Sequence, residues 1–480
     1  MGTEPHRPNT AIPPEERVPL REKFALGASQ ITFQHAVSNL HTPIFVNVLG
    51  LSPGWLGTLS LIERLWDAVT DGLMGWLTDR TDTRWGRRKP YILVGAILTA
   101  LFLPVTYLVS PGWSDLGKAA WLLACMLTLA LVFTIWNIPL QCLLLESTPN
   151  SVERTNVAVW RGYAGKVGWL GIAWTWWFVQ LPFFADASGK TDMLKGAFWV
   201  LTVMGAIGLV VGLLPLIVQN RVGTARRKPG ADLGLRQNMK LTFANRAFVF
   251  LLLFTLLFSL GFQLKLGLEF QTRLMYVFQG DTKQAAYIGA WGHSLSLVCS
   301  ICGIPLFQYI ARVRGKGFSL ICVMWVVLGA GASTLLCYHP ALPWLSILPS
   351  LLLAPANTGL WILIPSMTGD IVDYDEYVTG QRREGSYAAT YSWFLKASQS
   401  LAGFGSGWTL VLSGFDQKLA QQPEPVLWIM RLGLVLIPTP FIALAIWVLH
   451  KYPLTPQRIS EIHDELLRRR TQGRETSTLP

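Results

Sequence analysis

Stretches of about 20 apolar residues recur along the whole chain, and each is long enough for one helix across a membrane. The 480 residues are 51% hydrophobic and only 14% charged, with a mean hydropathy of +0.38. A soluble domain carries about 25% charged residues. The sequence therefore predicts an all-α polytopic membrane protein with 12 transmembrane helices. Their predicted spans are 24–50, 54–78, 90–110, 119–145, 157–183, 197–218, 245–270, 284–311, 318–337, 343–368, 387–413 and 425–449.

The basic residues set the orientation of these helices. Most of the 40 Lys and Arg residues fall on the side of the N-terminal tail, which the positive-inside rule assigns to the cytoplasm. We therefore interpret the net charge of +12 as topology rather than as a nucleic-acid surface. The polar, Pro-rich start has no leader-like apolar core, so we predict a disordered cytoplasmic tail.

A long polar loop divides the predicted helices into six and six. This plan is typical of the major facilitator architecture, in which two halves rock around a midplane site, although a channel or receptor has similar composition. The predicted segments are a tail (1–23), a six-helix bundle (24–218), a central cytoplasmic loop (219–246), a second bundle (247–450) and a cytoplasmic tail (451–480).

Two carboxylates in the second helix indicate a cation site. Asp67, Thr70 and Asp71 stand at i, i+3 and i+4, so they share one helix face. Carboxylates this close in a low dielectric repel each other unless a cation such as Na⁺, or a shared proton, lies between them. In the alternative, they form structural ion pairs with basic residues of the spans: Arg64, Arg161 and Lys166.

Polar residues of the fourth and fifth helices suit a polyhydroxylated ligand. Thr134, Asn137 and Gln141 share one face, and the next helix adds Trp160 and Arg161. Amides and a guanidinium supply paired donors and acceptors for hydroxyls, and an indole supplies an apolar plane for a sugar ring. In the alternative, these amides only form hydrogen bonds that hold neighbouring helices together.

Lys396 in the eleventh helix is a candidate coupling residue, since intramembrane lysines are functional by default. We expect it near the two helix-2 carboxylates; a structural ion pair is the alternative.

A cytoplasmic gate is predicted between the loop after the tenth helix and basic residues of the other half. Such a network of ion pairs would favour the state closed on the cytoplasmic side. In the alternative, these charges stay solvated and contribute little to the balance between the two states. The acids are Asp370, Asp373, Asp375 and Glu376, and the bases are Arg84, Arg87, Arg88 and Arg154.

Six cysteines lie within or near apolar stretches and indicate neither disulfides nor a polyvalent metal site. We interpret Cys299 and Cys302 as a packed thiol pair.

Several motifs resemble the glycoside-pentoside-hexuronide:cation symporter family. They are WDAVTDGLMGWLTDRTDTRWGRRKPY, NIP, WRGYAGK and GDIVDYDEYVTGQRREG, the last followed by Lys396. The resemblance extends from about Phe24 to Tyr452.

The resemblance implies roles for individual residues. Asp67 and Asp71 would bind the coupling cation, with Thr70 and Thr134 completing its shell and Lys396 close by. A galactoside-binding member has an acid at the position of Asn137, an aromatic residue at that of Gln141, and a sugar-binding Asp near Ile31. The implied sugar-contacting residues are Asn137, Gln141, Arg161, Trp361 and, in helix 1, Gln34.

We therefore predict a monomeric plasma-membrane symporter that carries a sugar or glycoside with Na⁺ or H⁺ by alternating access. No enzyme chemistry, resident cofactor or metal other than a monovalent cation is expected. A lysophospholipid carrier of the same fold and a non-transporting sugar sensor are the alternatives.

Overall fold

The computed structural model describes residues 16–29, 31, 34–148, 151–185, 189, 191–219, 235–380, 383–419 and 421–477. These residues are helical apart from turns and one isolated bridge, between Ala185 and Thr191. Within this part of the chain, eight helical segments are long and apolar enough to cross a membrane. The all-α membrane class is therefore confirmed, while the number twelve stays a prediction.

The α-helices of the described residues are numbered in chain order, and π-helical turns at Thr42–Val46 and Arg273–Val277 extend α2 and α9. The helices are α1 (Leu20–Ala28), α2 (Gln34–His41), α3 (Pro53–Arg80), α4 (Lys89–Phe102), α5 (Asp115–Glu146), α6 (Ser151–Val179), α7 (Met193–Leu213), α8 (Leu235–Ala244), α9 (Arg246–Thr272), α10 (Thr282–Arg314), α11 (Lys316–Cys337), α12 (Leu348–Thr379), α13 (Glu384–Leu412), α14 (Glu424–Leu436), α15 (Pro438–His450) and α16 (Pro456–Ser477).

The described residues form two compact units. Unit 1 comprises those within Met1–Leu49 and Leu65–Lys228, and unit 2 those within Gly50–Arg64 and Pro229–Pro480. Helix α3 thus contributes its first turns to unit 2 and the remainder to unit 1. The predicted bounds of the two bundles stay predictions.

Unit 1 is built around a close approach of α4 and α5. A Cβ at Gly95 would lie 2.5 Å from the backbone nitrogen of Trp136, so only glycine permits this contact. The Trp136 indole donates a hydrogen bond of 3.1 Å to the carbonyl of Gly212 on α7. Apolar residues of α1 and α6, among them Leu26 and Val157, complete the buried cluster.

Unit 2 has its core among α9, α11, α12 and α15, where Phe254, Val323 and Leu360 are buried. The same cluster includes Ile462 and Leu466 of α16. The segment assigned from the sequence to a cytoplasmic tail (451–480) therefore contains a helix that packs on this core. Hydropathy misses α16 because the helix is polar overall and buries only a few apolar side chains at helical spacing.

Helix α12 is longer than predicted. It continues to Thr379, so the acids assigned to a cytoplasmic loop lie on a helix, and Asp370 and Asp375 are buried. Each buried carboxylate has a cation: Lys316 donates to both oxygens of Asp370 at 2.7 Å, and Arg383 donates to both oxygens of Asp375. Pairing permits the burial that the sequence reading did not expect.

The N-terminal tail is anchored where the structure describes it. Glu153, at the start of α6, is almost fully buried and accepts hydrogen bonds from Lys23 at 2.8 Å, from the Val18 N–H at 2.9 Å and from Asn156 at 3.0 Å. Residues 16–23 are therefore ordered, which corrects the predicted disorder there; residues 1–15 lie outside the described part. Burial acts to raise the pKa of Glu153, but these hydrogen bonds hold it below its ordinary value.

Replacing Glu153 with Gln should lower the unfolding free energy by about 1–3 kcal/mol at neutral pH, because a charged acceptor is lost. A carboxylate whose pKa is lowered by folding stabilises the fold above its unfolded pKa, and the gain disappears as the pH falls through the folded pKa. The difference between the parent and E153Q, measured by thermal unfolding, should therefore shrink below about pH 4. The exposed Asp82 provides the control D82N, which should be neutral throughout. A pH-independent difference for E153Q would contradict the role of the charge.

Candidate functional site

Helix α3 carries the predicted cation ligands Asp67 and Asp71 within unit 1. Asp67 and Asp71 are half-buried, and the buried hydroxyl of Thr134 on α5 donates to an Asp71 carboxylate oxygen at 3.1 Å. The Trp66 indole joins the same two helices through a hydrogen bond to the Leu127 carbonyl. Carboxylate and hydroxyl oxygens suit a hard monovalent cation.

Thr70 is positioned differently from Thr134. Its side chain is buried, but the hydroxyl lies 3.1 Å from the Trp66 carbonyl and 3.3 Å from that of Asp67, both on its own helix. The structure therefore brings Asp71 and Thr134 together, whereas it directs the Thr70 hydroxyl to backbone oxygens.

The predicted sugar-contacting residues of unit 1 form a chain of polar groups. Arg161 on α6 lies 3.5 Å from the side-chain oxygen of Gln141, and the Gln141 amide lies 3.5 Å from that of Asn137. Gln141 is exposed, and the other two are half-buried. These loose contacts place a guanidinium and two amides side by side, where a hydroxylated ligand could bind them.

Aromatic rings accompany this chain. The Trp160 indole is exposed beside Arg161 on α6. His35 of α2 stacks on Trp169 of α6, with ring centroids 5.4 Å apart and planes 13° apart. Sequence spacing does not reveal this contact, because a stacked pair from two distant segments leaves no local pattern.

The remaining predicted residues are Trp361, Lys396 and Gln34. Trp361 is exposed on α12, and Lys396 is half-buried on α13, both within unit 2. Gln34 is the first residue of α2, and its side chain lies outside the described part. The expected proximity of Lys396 to the α3 carboxylates stays a prediction.

The basic residues of the predicted gate have partners in unit 1. Arg88 donates to the Thr78 hydroxyl at 2.7 Å and to Glu146 at 3.1 Å, and Arg87 lies 3.4 Å from Glu146. Arg84 is exposed and lies over the Trp85 ring. The side chain of Arg154 lies outside the described part.

The acids of the predicted gate contact unit 2. Asp370 pairs with Lys316, Asp373 lies 3.3 Å from His463 of α16, and Glu376 is half-buried. The gate between the two halves stays a prediction.

A buried charge cluster in unit 2 was missed by the sequence reading, which assigned no role to Lys265. Lys265 is 2% exposed and lies 2.7 Å from Glu269, which accepts a second hydrogen bond, of 2.8 Å, from the Tyr338 hydroxyl. The spacing of Lys and Glu four residues apart within an apolar helix was the available signal.

Within the described ranges, no group of three or more His, Cys, Asp or Glu side chains could hold a metal ion. Cys299 and Cys302 are free thiols on α10, and Cys302 is exposed, which corrects the expectation of a packed pair.

Comparison with known proteins gives matches along almost the whole chain. A family model described as MFS/sugar transport protein matches residues 23–456. A putative glycoside/cation symporter, YagG of Escherichia coli K12, is 27% identical, covering 89% of each chain. A glucuronide carrier protein homolog of the same organism is 25% identical, covering 92% of this chain and 94% of the relative. The structure of a bacterial homolog of the human lysosomal transporter Spinster has a TM-score of 0.63 at 16% identity, covering 91% and 98% of the two chains, and is similar in fold.

Replacing Glu269 with Gln should cost about 3–5 kcal/mol of stability, because the buried Lys265 ammonium would lose its counter-charge. Replacing Lys265 with Met in the same protein should restore most of the loss, since the remaining amide still accepts from Tyr338. Thermal unfolding of the parent, E269Q and the K265M/E269Q double variant measures both effects. A double variant less stable than E269Q would show that the pair contributes more than mutual neutralisation.

Proposed function

Because the chain belongs to the family of MFS/sugar transport proteins, we propose that it carries a sugar or glycoside across the plasma membrane together with one monovalent cation, Na⁺ or H⁺, by alternating access. The family makes the chain a membrane transporter rather than an enzyme, and the expected resemblance to cation symporters is confirmed. Coupling, cargo and orientation, with both termini in the cytoplasm, belong to the proposal. No cofactor and no second copy of the chain are required for it.

The contact between Asp71 and Thr134 is the observation that carries the coupling proposal. It adds a hydroxyl ligand to a carboxylate that has Asp67 one helical turn away. Two carboxylates at this spacing resist joint ionisation in a low dielectric, and a bound cation removes the repulsion. Occupation by the cation would therefore favour a state in which the surroundings close over the site.

The chain of Arg161, Gln141 and Asn137 supports a hydroxylated cargo. A guanidinium offers up to five donors, and an amide offers both donors and an acceptor, which are the partners that sugar hydroxyls require. The exposed indoles of Trp160 and, in unit 2, Trp361 are suitable planes for a sugar ring.

One cation suffices energetically. A membrane potential of 100 mV contributes about 2.3 kcal/mol per elementary charge, and a tenfold concentration gradient contributes about 1.4 kcal/mol. Together these sustain roughly 500-fold accumulation of a neutral sugar.

Replacing Asp71 with Asn should abolish accumulation against a gradient, because the cation loses a charged ligand. Labelled-sugar uptake by vesicles with an imposed Na⁺ or H⁺ gradient should fall from hundreds-fold accumulation to equilibration. The D82N variant makes the same chemical change at an exposed position of the loop after α3 and should retain accumulation. Full coupled uptake by D71N would exclude Asp71 from the cation site.

Replacing Arg161 with Ala should weaken sugar binding about 10-fold to 100-fold, as expected for the loss of charged hydrogen-bond donors, and leave cation affinity unchanged. Ligand-dependent thermal stabilisation measures both, using whichever mono- or disaccharide, glycoside or uronic acid stabilises the parent most. Arg80, which stacks on Trp76 4.0 Å from the ring centroid, provides the control R80A. Unchanged sugar affinity in R161A would move the sugar site elsewhere.

The same measurements separate the alternatives. The family favours a sugar over a lysophospholipid, and stabilisation by lysolipids alone would reverse that choice. Sugar binding without cation-dependent uptake would indicate a sensor.

A further inference from the structure

A cavity of about 410 Å³ opens at the end of unit 2 that carries α16. The turn between α10 and α11, the end of α15 and the segment leading into α16 form its walls. Gly315 in that turn has a φ of +89°, and a Cβ there would lie 2.5 Å from Pro456, so the two walls meet closely at this point. The cavity lies within one compact unit and contains none of the residues assigned to sugar or cation.

The charge of the cavity comes from Arg314. Lys316 also lines it, but Asp370 neutralises Lys316 through two contacts of 2.7 Å. Arg314 is exposed, its guanidinium lies 5.5 Å from the centroid of the Phe318 ring, and no carboxylate of the described residues lies within ion-pair distance of it. The cavity therefore presents one uncompensated guanidinium.

A second donor lies in the wall of the same cavity. The Tyr452 hydroxyl is buried and has no hydrogen-bond partner among the described residues. Burial and the nearby Asp370 carboxylate raise the pKa of this phenol, so it stays protonated and able to donate. A buried donor without an acceptor costs about 1–3 kcal/mol, so an acceptor from outside the chain would be stabilised there.

Most of the remaining wall is apolar, with His450 and Thr455 as further polar lining residues. Phe318, Ile321, Met367, Leu449 and Leu454 line the cavity beside the two donors. An inorganic anion would gain nothing from this surface, whereas an amphiphile would bury its chain against it.

We propose that this cavity binds an anionic phospholipid, with the headgroup phosphate contacted by Arg314 and Tyr452 and an acyl chain lying along the apolar wall. Basic pockets between membrane helices that bind anionic headgroups follow the same physical rule. The site requires only that the chain is embedded in a bilayer, so it goes beyond the proposed transport function and does not depend on the identity of the sugar.

The test compares phosphatidylglycerol, phosphatidylcholine and inorganic phosphate added to the full chain in a neutral detergent. Native mass spectrometry measures retained lipid, and thermal unfolding measures stabilisation. We expect phosphatidylglycerol to bind and stabilise more than phosphatidylcholine, with phosphate at millimolar concentration having little effect. R314Q and Y452F should each weaken phosphatidylglycerol binding about tenfold.

Arg312 provides the matched control, because it is exposed at the same end of α10 but does not line the cavity. R312Q should retain the parental affinity. A cooperative thermal unfolding transition without lipid confirms that each variant is folded. Y452F removes only one hydroxyl, so it tests the hydrogen bond with little change in packing. Equal stabilisation by inorganic phosphate, or unchanged phosphatidylglycerol binding in both R314Q and Y452F, would overturn the proposal.

Discussion

A buried charge needs a partner within reach, and this requirement organises the described part of the chain. Lys265 lies against Glu269 and Tyr338, Asp370 against Lys316, and Arg88 against Glu146. Each cluster connects neighbouring helices or successive turns, so the same contacts that neutralise charge also fix how the helices pack. Removing one partner of a fully buried pair would leave an uncompensated charge, at a cost of about 3–5 kcal/mol, which is similar to truncating a large core side chain.

One pairing occurs in both units in the same structural context. Arg88 precedes α4 and pairs with Glu146 at the end of α5, while Lys316 begins α11 and pairs with Asp370 on α12. Each cation closely follows a glycine with positive φ, Gly86 in unit 1 and Gly315 in unit 2. A turn that only glycine adopts easily, followed by a cation paired with the next helix, is what an internal repeat would produce. The recurrence supports the predicted plan of two six-helix halves.

The sequence predicted the class of fold and the local groupings, and it failed where the signal depended on partners distant in the chain. Helical spacing placed Asn137 beside Gln141 and the next helix was expected to add Arg161, and the structure has these three side chains next to one another. Hydropathy ended the tenth span near residue 368, because a run of acids is normally solvated, whereas Lys316 and Arg383 keep those acids on a continuing helix. Hydropathy also gave no sign of α16, which the sequence assigned to the C-terminal tail. The stack of His35 on Trp169 could not be predicted, since it depends on a tertiary contact. The pair of Lys265 and Glu269 could have been predicted from its spacing of four residues within one helix and was overlooked.

Three long helices that do not meet the apolar criterion carry residues of the proposed sites. α3, α6 and α13 are continuous helices of 28 or 29 residues, yet none is among the eight apolar segments. They carry Asp71, Arg161 and Lys396. A helix facing lipid has no use for such side chains, whereas a carrier of polar solutes needs helices whose polar faces are sheltered from lipid. Within unit 2, glycines supply that shelter for the start of α3: a Cβ at Gly57 would lie 2.9 Å from the Gly403 carbonyl, and one at Gly407 would lie 2.5 Å from that of Pro53. Close glycine packing lets α3 gain from helix contact what it lacks in hydropathy, so low hydropathy in a helix of this kind is compatible with the all-helical membrane fold and with the proposed transport function.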